Sequence, residues 1–521
     1  AGEKFLAAGI VERHCYAELE RDRWYVLDRW LDKLPSAISK QRPVLLLAHA
    51  WVAFFQQQLG ELPSIITDAE LLLDDESADG SLSGELDFFH GYLLYWEGKG
   101  EQSRYKLEAA LDRIPGKREL IRGEVELHLA LARCMEGQDA LAIQALRDRI
   151  RNCGQTGSRQ LSRLIAGVAV VYILVGDLSS AQLEARNLRA LSGDGHSMLT
   201  EAWSHYLEAC TDLHGLHIEP ALEHFAAGTR HPYATDAYMA IDAFAGLALT
   251  QQLMHKADAA TETLARLMNF VLERDDPVEI SVARSCEARV SLLQGRLSQA
   301  IQWARTVNRP AEPFDLFIWL EAPLLTRARI LIVAGTTDDL NNAMELLREI
   351  RDLSEACRFA NQVIEAAVLQ SLALEKQGHS DAALESLEEA VVLAEPGGWV
   401  RPFVELGQPM AGLLERLAGQ NGRTEFLRRV LDQFQVIQSQ PASAAAGKPQ
   451  SGAAWSGEPL TKRELDILEL VAQRLQNKEI ATRLFVSPET VKTHLKHLYQ
   501  KLGVSNRRDA AARSADIVST T

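Results

Sequence analysis

Cysteine is scarce and scattered in this chain, with six residues in 521: Cys15, Cys134, Cys153, Cys210, Cys286 and Cys357. No C-x-x-C occurs and no histidine lies at metal-ligand spacing from them. That excludes a zinc ribbon and a disulfide framework and leaves reduced structural thiols, as in a cytosolic protein. Long apolar runs are also missing. The longest, Leu164 to Val175, is too short to cross a bilayer and reads as a buried helix. No signal peptide opens the chain, and its start at Ala-Gly-Glu without Met is that of a fragment or a trimmed chain. Catalytic arrays are absent as well. The 14 histidines form no H-E-x-x-H, and pairs such as Glu201/His205 or Glu208/Asp212 are ordinary on solvated helix faces. No G-x-x-x-x-G-K-[ST] occurs: Gly98-Lys99, Gly116-Lys117 and Gly447-Lys448 lack the upstream glycine and the following hydroxyl. No catalytic residue, metal ligand set or cofactor is therefore expected, and no ATP is bound by this polypeptide.

What is present is helix. Hydrophobic residues make up 47% and charged residues 24%, which places the chain among soluble globular proteins of several domains. The net charge of −16 is uneven: residues 458–521 carry +3 and the remainder −19. A basic end on an acidic body fits one module that touches phosphates and a body that does not.

Turn-like positions recur at Gly60, Gly100, Gly137, Gly176, Gly215, Lys256, Gly295, Gly335 and Gly378, a step close to 40 residues. An apolar helix precedes most of them, as in LIAGVAVVYILVG or AAVLQSLALEKQG. A second helix with a small residue near its fifth position follows: Ala142, Ala181, Ala300 and Ala383. One such hairpin cannot bury its own apolar face, so neighbours stack into a solenoid. The period exceeds 34 residues, so the repeats are tetratricopeptide-like, with longer helices or loops. From Glu20 to Pro35, Trp24, Leu27, Trp30, Leu31 and Leu34 keep helical spacing and read as the core of an earlier half-repeat. The concave face of such a solenoid is a candidate groove for a small inducer or a partner peptide. Trp203, Tyr206, Tyr238, Trp319 and Arg327, with Trp96 and Tyr172, are its candidate lining. For each of these, ordinary core packing is the stronger reading, since Trp and Tyr fill inter-helix space as readily as they bind ligands.

The organisation expected is therefore all-α: a helical-repeat domain over 1–395, a solenoid cap over 396–434, a linker over 435–458 and a terminal module over 459–521. The linker is rich in Ala, Gly, Ser, Pro and Gln. At about 5–6 Å times the square root of its length it reaches roughly 25–30 Å.

The terminal module carries four short amphipathic helices. Thr461 with Glu464 forms a capping box, and Ser487-Pro488-Glu489 opens the third helix with an N-cap, a first-turn proline and an acid at the positive end of the dipole. On that helix Val491, Leu495, Leu498 and Leu502 share one face. Lys492, Thr493 and Lys496 fall opposite, flanked by Glu489 and Gln500, where a recognition helix presents side chains to base edges. A solvated lysine face on a protein-binding bundle is the alternative, which would make the chain a repeat scaffold.

The strings L-T-x-R-E-L-x-I-L-x-L, N-K-E-I-A-x-x-L, S-x-x-T-V-K-x-H and K-L-x-V-x-x-R, read from Leu460 to Arg507, resemble the LuxR-type DNA-binding domain. The resemblance implies a four-helix helix-turn-helix module whose third helix enters the major groove and whose fourth helps dimerisation. Lys492, Thr493 and Lys496 match the groove-facing positions, and Thr490, Glu489, His497 and Lys478 complete the candidate DNA-contacting set. Arg474 stands where that family usually has Gly and Gln476 where it has Ser or Thr, so the first turn loses a helix stop and a cap.

WLDKLP, the 40-residue repeats, the G-x-V-R-P-F-V-E-L-G-x-P-M segment and the terminal module, in that order, resemble the large ATP-binding LuxR-type regulators of the MalT-like, or LAL, class. That resemblance implies a cytoplasmic bacterial transcription regulator, an activator, that binds double-stranded DNA as a homodimer or higher oligomer and acts on RNA polymerase. An inducer or regulatory protein is sensed in the repeats, and ATP belongs to an N-terminal domain not found here. Either this chain is the C-terminal part of a longer regulator, or it is a member that lost that domain.

Overall fold

The computed structural model describes residues 2–439 apart from short breaks at 22, 57, 59, 74–79, 153–158, 192–197, 233–236, 308–319 and 422–423, and beyond them only Val491 and Leu495. Two compact units divide the chain between Ser443 and Ala444. Among the described residues no strand occurs.

The first unit opens with α1 (Gly2–Glu20), α2 (Trp24–Leu31), α3 (Ser36–Ser39), α4 (Pro43–Phe55) and α5 (Leu62–Glu70). Eight hairpins follow. The first four are α6 (Gly80–Trp96) with α7 (Gly100–Arg113), α8 (Glu119–Met135) with α9 (Asp139–Asn152), α10 (Arg159–Leu174) with α11 (Leu178–Leu191), and α12 (Met198–His214) with α13 (Ile218–Gly228). The next four are α14 (Ala237–Leu253) with α15 (Ala257–Arg274), α16 (Pro277–Leu293) with α17 (Leu297–Thr306), α18 (Pro323–Ala334) with α19 (Thr337–Cys357), and α20 (Ala360–Lys376) with α21 (Ser380–Ala394). One turn of helix, α22 (Arg401–Val404), then α23 (Gln408–Asn421) and α24 (Glu425–Ser439) complete the unit. The α24 helix continues past 435, where the linker was expected to begin, and the rest of that segment lies outside the described residues.

Each hairpin turns on one residue in the left-handed conformation: Gly98, Gly137, Gly176, Leu216, His255, Gly295, Gly335 and Gly378. Three differ from the turn positions expected from glycine spacing. Gly100 already begins α7, and Leu216 and His255 carry the positive φ instead of Gly215 and Lys256. Most of these turns are the same hydrogen-bonded stop, in which the left-handed residue bonds back three positions and its successor five. Gly137 N–H reaches Cys134 O at 2.9 Å and Gln138 N–H reaches Arg133 O at 2.9 Å. At Gly335 a single bond to Leu331 O replaces the pair, and Thr336 caps the next helix through Asp339 N–H.

Five residues after the turn, a fully buried small residue lets the two helices approach: Ser103, Ala142, Ala181, Ala221, Ala260, Ala300 and Ala383. After Gly335 the equivalent is Ala343, so three extra residues sit in that turn and the step returns to 40 beyond it. Ser103 keeps its hydroxyl satisfied by donating to Gly91 O at 2.7 Å across the interface.

The first helix of every hairpin from α8 onward packs on both helices of the hairpin before it. This is the stacking of a tetratricopeptide-like superhelix. Ahead of it, α2 packs on α1 and α4 with Leu27 and Leu31 buried and Trp24, Trp30 and Leu34 half-buried against the same core. The stack also curls back on itself: α19 meets α8, α20 meets α10, and α22 meets α12. Its core is correspondingly a chain of clusters, the largest running from Tyr95 to Phe434.

Candidate functional site

The first helices α12, α14, α16, α18 and α20 bring His214, Asp242, Arg289, Arg329 and Glu365 together in one buried space. The segment Trp399–Glu405 enters that space. Trp399 Nε1–H donates to Gly176 O at 2.6 Å, and Val400 N–H donates to His214 O at 2.9 Å. No side chain could replace the neighbouring glycine, because a Cβ on Gly397 would lie 1.7 Å from Gly176 O.

A buried ionic network grows around this segment. Arg289 grips Glu405 with two bonds, Nε to Oε1 at 2.8 Å and Nη2 to Oε2 at 2.7 Å, and its Nη1 reaches Glu321 Oε2 at 3.1 Å and Leu320 O at 2.7 Å. Arg401 pairs with Glu405 at 2.5 Å and with Glu365, and donates Nε to His214 Nδ1 at 3.3 Å. Arg329 holds the other oxygen of Glu365. Ser285 and Thr326 donate to Glu321. Beside them Asp242 accepts from Tyr206 Oη and from the amides of Leu320 and Glu321, both at 3.2 Å. Arg289 and Arg401 are each 1% exposed. Three arginines face three glutamates, so these six side chains balance one another in charge.

Buried charge persists only when paired, and the titration shifts follow from that. Burial alone would raise Glu365, but Arg401, Arg329 and Arg289 together hold it down at about 2. Glu405 is likewise held far below the usual carboxylate range, against its burial, by Arg289 and Arg401. His214 is pushed well down by burial and by Arg401, which makes it the neutral acceptor that the Arg401 bond requires. Among the described residues no cation is bonded to Asp242, and burial outweighs its three donors to lift it to about 6.

Of the residues expected to line a groove, Tyr206 is fully buried in this network. Trp203 is half-buried with its ring 6.0 Å from that of Tyr206, edge to face. Tyr238 and Arg327 are half-buried on α14 and α18, and Trp319 lies outside the described residues. Trp96 and Tyr172 are half-buried, Trp96 against Tyr92 and Tyr95 and Tyr172 under Arg147. The ionic residues themselves escaped the sequence reading. Their signal was present: Asp242, Arg289, Arg329 and Glu365 are charges set in apolar first helices. Among the described residues no group of three or more His, Cys, Asp or Glu could hold a metal ion. The five described cysteines are free and buried, with burial raising the Cys15 and Cys134 thiols to about 12. No described helix is long and apolar enough to cross a membrane.

In the second unit Lys492, Thr493, Lys496, Thr490, Glu489, His497 and Lys478 lie outside the described residues. Val491 and Leu495, one turn apart, are helical and buried.

Residues 84–420 match the family model of the MalT-like TPR region, and residues 458–514 match that of the bacterial regulatory proteins of the luxR family. The chain belongs to the MalT-like family of LuxR-type regulators. It is 23% identical over 552 residues to the HTH-type transcriptional regulator MalT of Yersinia enterocolitica, covering 99% of this chain and 58% of that protein. Against MalT of Serratia proteamaculans it is 23% identical over 549 residues, covering 99% and 59%. This MalT-like chain thus spans less than three fifths of the length of the curated relatives it matches. Among solved structures, a Rap protein complexed with competence and sporulation factor aligns with a TM-score of 0.45 at 12% identity, over 68% of this chain and 98% of that one.

Proposed function

We propose that this chain is a sequence-specific DNA-binding transcriptional regulator, an activator working in the bacterial cytoplasm. Its superhelix senses an effector or partner protein and controls self-association, and through it DNA binding and engagement of RNA polymerase. The observation that carries the reading is the luxR-family match over 458–514 joined to a MalT-like repeat region in one chain. In that reading residues 1–395 form the sensor, 396–434 its cap, 435–458 a linker and 459–521 the DNA module. The effector site is placed near Trp203, Tyr206, Tyr238, Trp319 and Arg327. The chain does no catalysis and carries no cofactor of its own.

Support for the recognition helix comes from its two described residues. At about 100° per residue, the buried Val491 and Leu495 mark one side of a helix, and helical spacing alone puts positions 493 and 496 well away from that side and 492 at its edge. A single small module with few phosphate contacts binds weakly, and log affinity falls by about 0.9 per log unit of salt for each phosphate neutralised. Self-association multiplies the effective concentration of the second module, so whatever controls assembly controls occupancy.

Lys492→Ala and Lys496→Ala should each weaken operator binding by roughly tenfold or more while leaving the module folded. Gel-shift titrations against duplex DNA with circular dichroism of the variants test this. Unchanged binding removes the recognition helix from the groove, and no salt-dependent binding of the parent chain to random duplex at low salt favours a protein-binding scaffold.

A further inference from the structure

We propose that residues 397–407 form a releasable clasp, an internal occupant of the superhelix whose opening and closing is the conformational step of its regulation. This rests on the proposed regulatory function and says where that regulation is built.

The first support is how the ionic network divides. If Trp399–Glu405 withdraws, Arg401 and Glu405 leave together, already paired one turn apart at 2.5 Å. Arg289 stays with Glu321, and Arg329 stays with Glu365. Every arginine and glutamate keeps a partner in both states. Breaking a buried pair is ordinarily prohibitive because one charge is left alone in a dry interior. Here no charge is orphaned, and the departing pair regains water. His214 is a neutral acceptor, and the two main-chain carbonyls that receive Trp399 and Val400 lie at helix ends where water can replace them.

The second support is the backbone. Gly397 and Gly398 precede the segment and Gly407 follows it, with φ of +77° at Gly398 and +67° at Gly407. Glycine at both ends lets a short segment change direction without moving the helices beyond it. The Gly397 peptide sits where only glycine fits against Gly176 O, so the closed pose is specific. Trp399, Val400, Phe403 and Val404 are buried when the clasp is shut, and their exposure is what keeps the closed form dominant. The clasp spans the curl, joining α20 and α16 to the ends of α10 and α12, and it leads directly into α23 and α24. A change inside the superhelix is thereby passed to α23 and α24, the last described helices of the first unit.

Hydrogen exchange on the full chain tests this with two variants. Trp399→Phe removes the bond to Gly176 O and keeps a ring in place. Glu405→Gln removes the charge shared by Arg289 and Arg401. Both should speed exchange about tenfold or more in peptides covering 397–407, 174–178 and 212–218, with α4–α8 unchanged. Both should also shift the self-association constant of the chain measured by sedimentation. Exchange that rises uniformly through all hairpins, or does not rise at the clasp, overturns the device. Local opening without any change in self-association reduces it to a structural tie. Neither result bears on the Lys492 and Lys496 tests, so the two readings fail separately.

Discussion

Two of the eight hairpin turns place a side chain in the left-handed region that glycine occupies in the other six. Leu216 compensates, because its side chain is buried in the main core. His255 is exposed at φ +57° and gains nothing visible for the conformational cost. His255→Gly should therefore stabilise the chain by about 0.5–1 kcal/mol, once the extra entropy of glycine in the unfolded chain is set against relief of the strain. Leu216→Gly should destabilise it. Urea unfolding of both variants checks the pair. These positions also show why turn residues were only partly legible. Glycine spacing marks the turns where glycine is used, and at 215 and 256 the neighbouring residue was mistaken for the turn itself. The ionic residues illustrate a different limit. A charge within an apolar helix announces that a partner exists, but Arg289 finds Glu405 116 residues away, and no periodicity reports that.

At the level of the helix pair, the spacing between facing helices is set by a few small residues. Ala142, Ala181, Ala300 and Ala383 were readable from their fixed distance to the turn. Ser103, Ala221, Ala260 and Ala343 do the same work and are equally buried. Glycines on the first helices act from the other side. A Cβ on Gly246 would meet the Phe225 ring at 2.3 Å, so Gly246→Ala must prise α13 from α14. Gly412, exposed within α23, has nothing within 4 Å of the same position. The same substitution should thus have opposite signs: a loss of roughly 1–3 kcal/mol at Gly246 from overpacking, and a gain of about 0.5–1 kcal/mol at Gly412 from helix propensity. Thermal melts of the two alanine variants separate these outcomes. The boundary of α24 shows where composition misleads. Gln and Ser near 437–440 resemble the linker that follows, yet the helix persists to Ser439 because the apolar face of Phe426, Leu427, Val430 and Phe434 holds its earlier turns in the core.

For the molecule as a whole, the stacking of hairpins was legible because each unit repeats the same local chemistry. The curl that brings α20 to α10 was not, since it accumulates from small rotations between neighbours. The interior network that results has a testable dependence on acid. Glu365 titrates at about 2 in the folded chain, below the usual 4.5. A depressed carboxylate contributes stability that is complete above the unfolded value and is lost as the pH falls toward the folded one. The stability advantage of the native chain over a Glu365→Gln variant should hold from neutral pH down to about 4.5 and shrink progressively toward about 2. Denaturant midpoints measured across that range decide it, and an advantage independent of pH would mean that Glu365 is not the paired carboxylate described.

The bond between Trp399 and Gly176 has one more consequence, for how such a chain can evolve. Open arrays of stacked hairpins lengthen or shorten freely, because each unit sees only the next. Here the eighth hairpin's successor must arrive opposite the third and fourth, and inserting or deleting a single unit between them would carry Trp399 past its carbonyl and Arg401 past His214. The fold therefore counts its own repeats, and variation in this lineage should fall in turn length, as in the three residues added after Gly335, in preference to copy number.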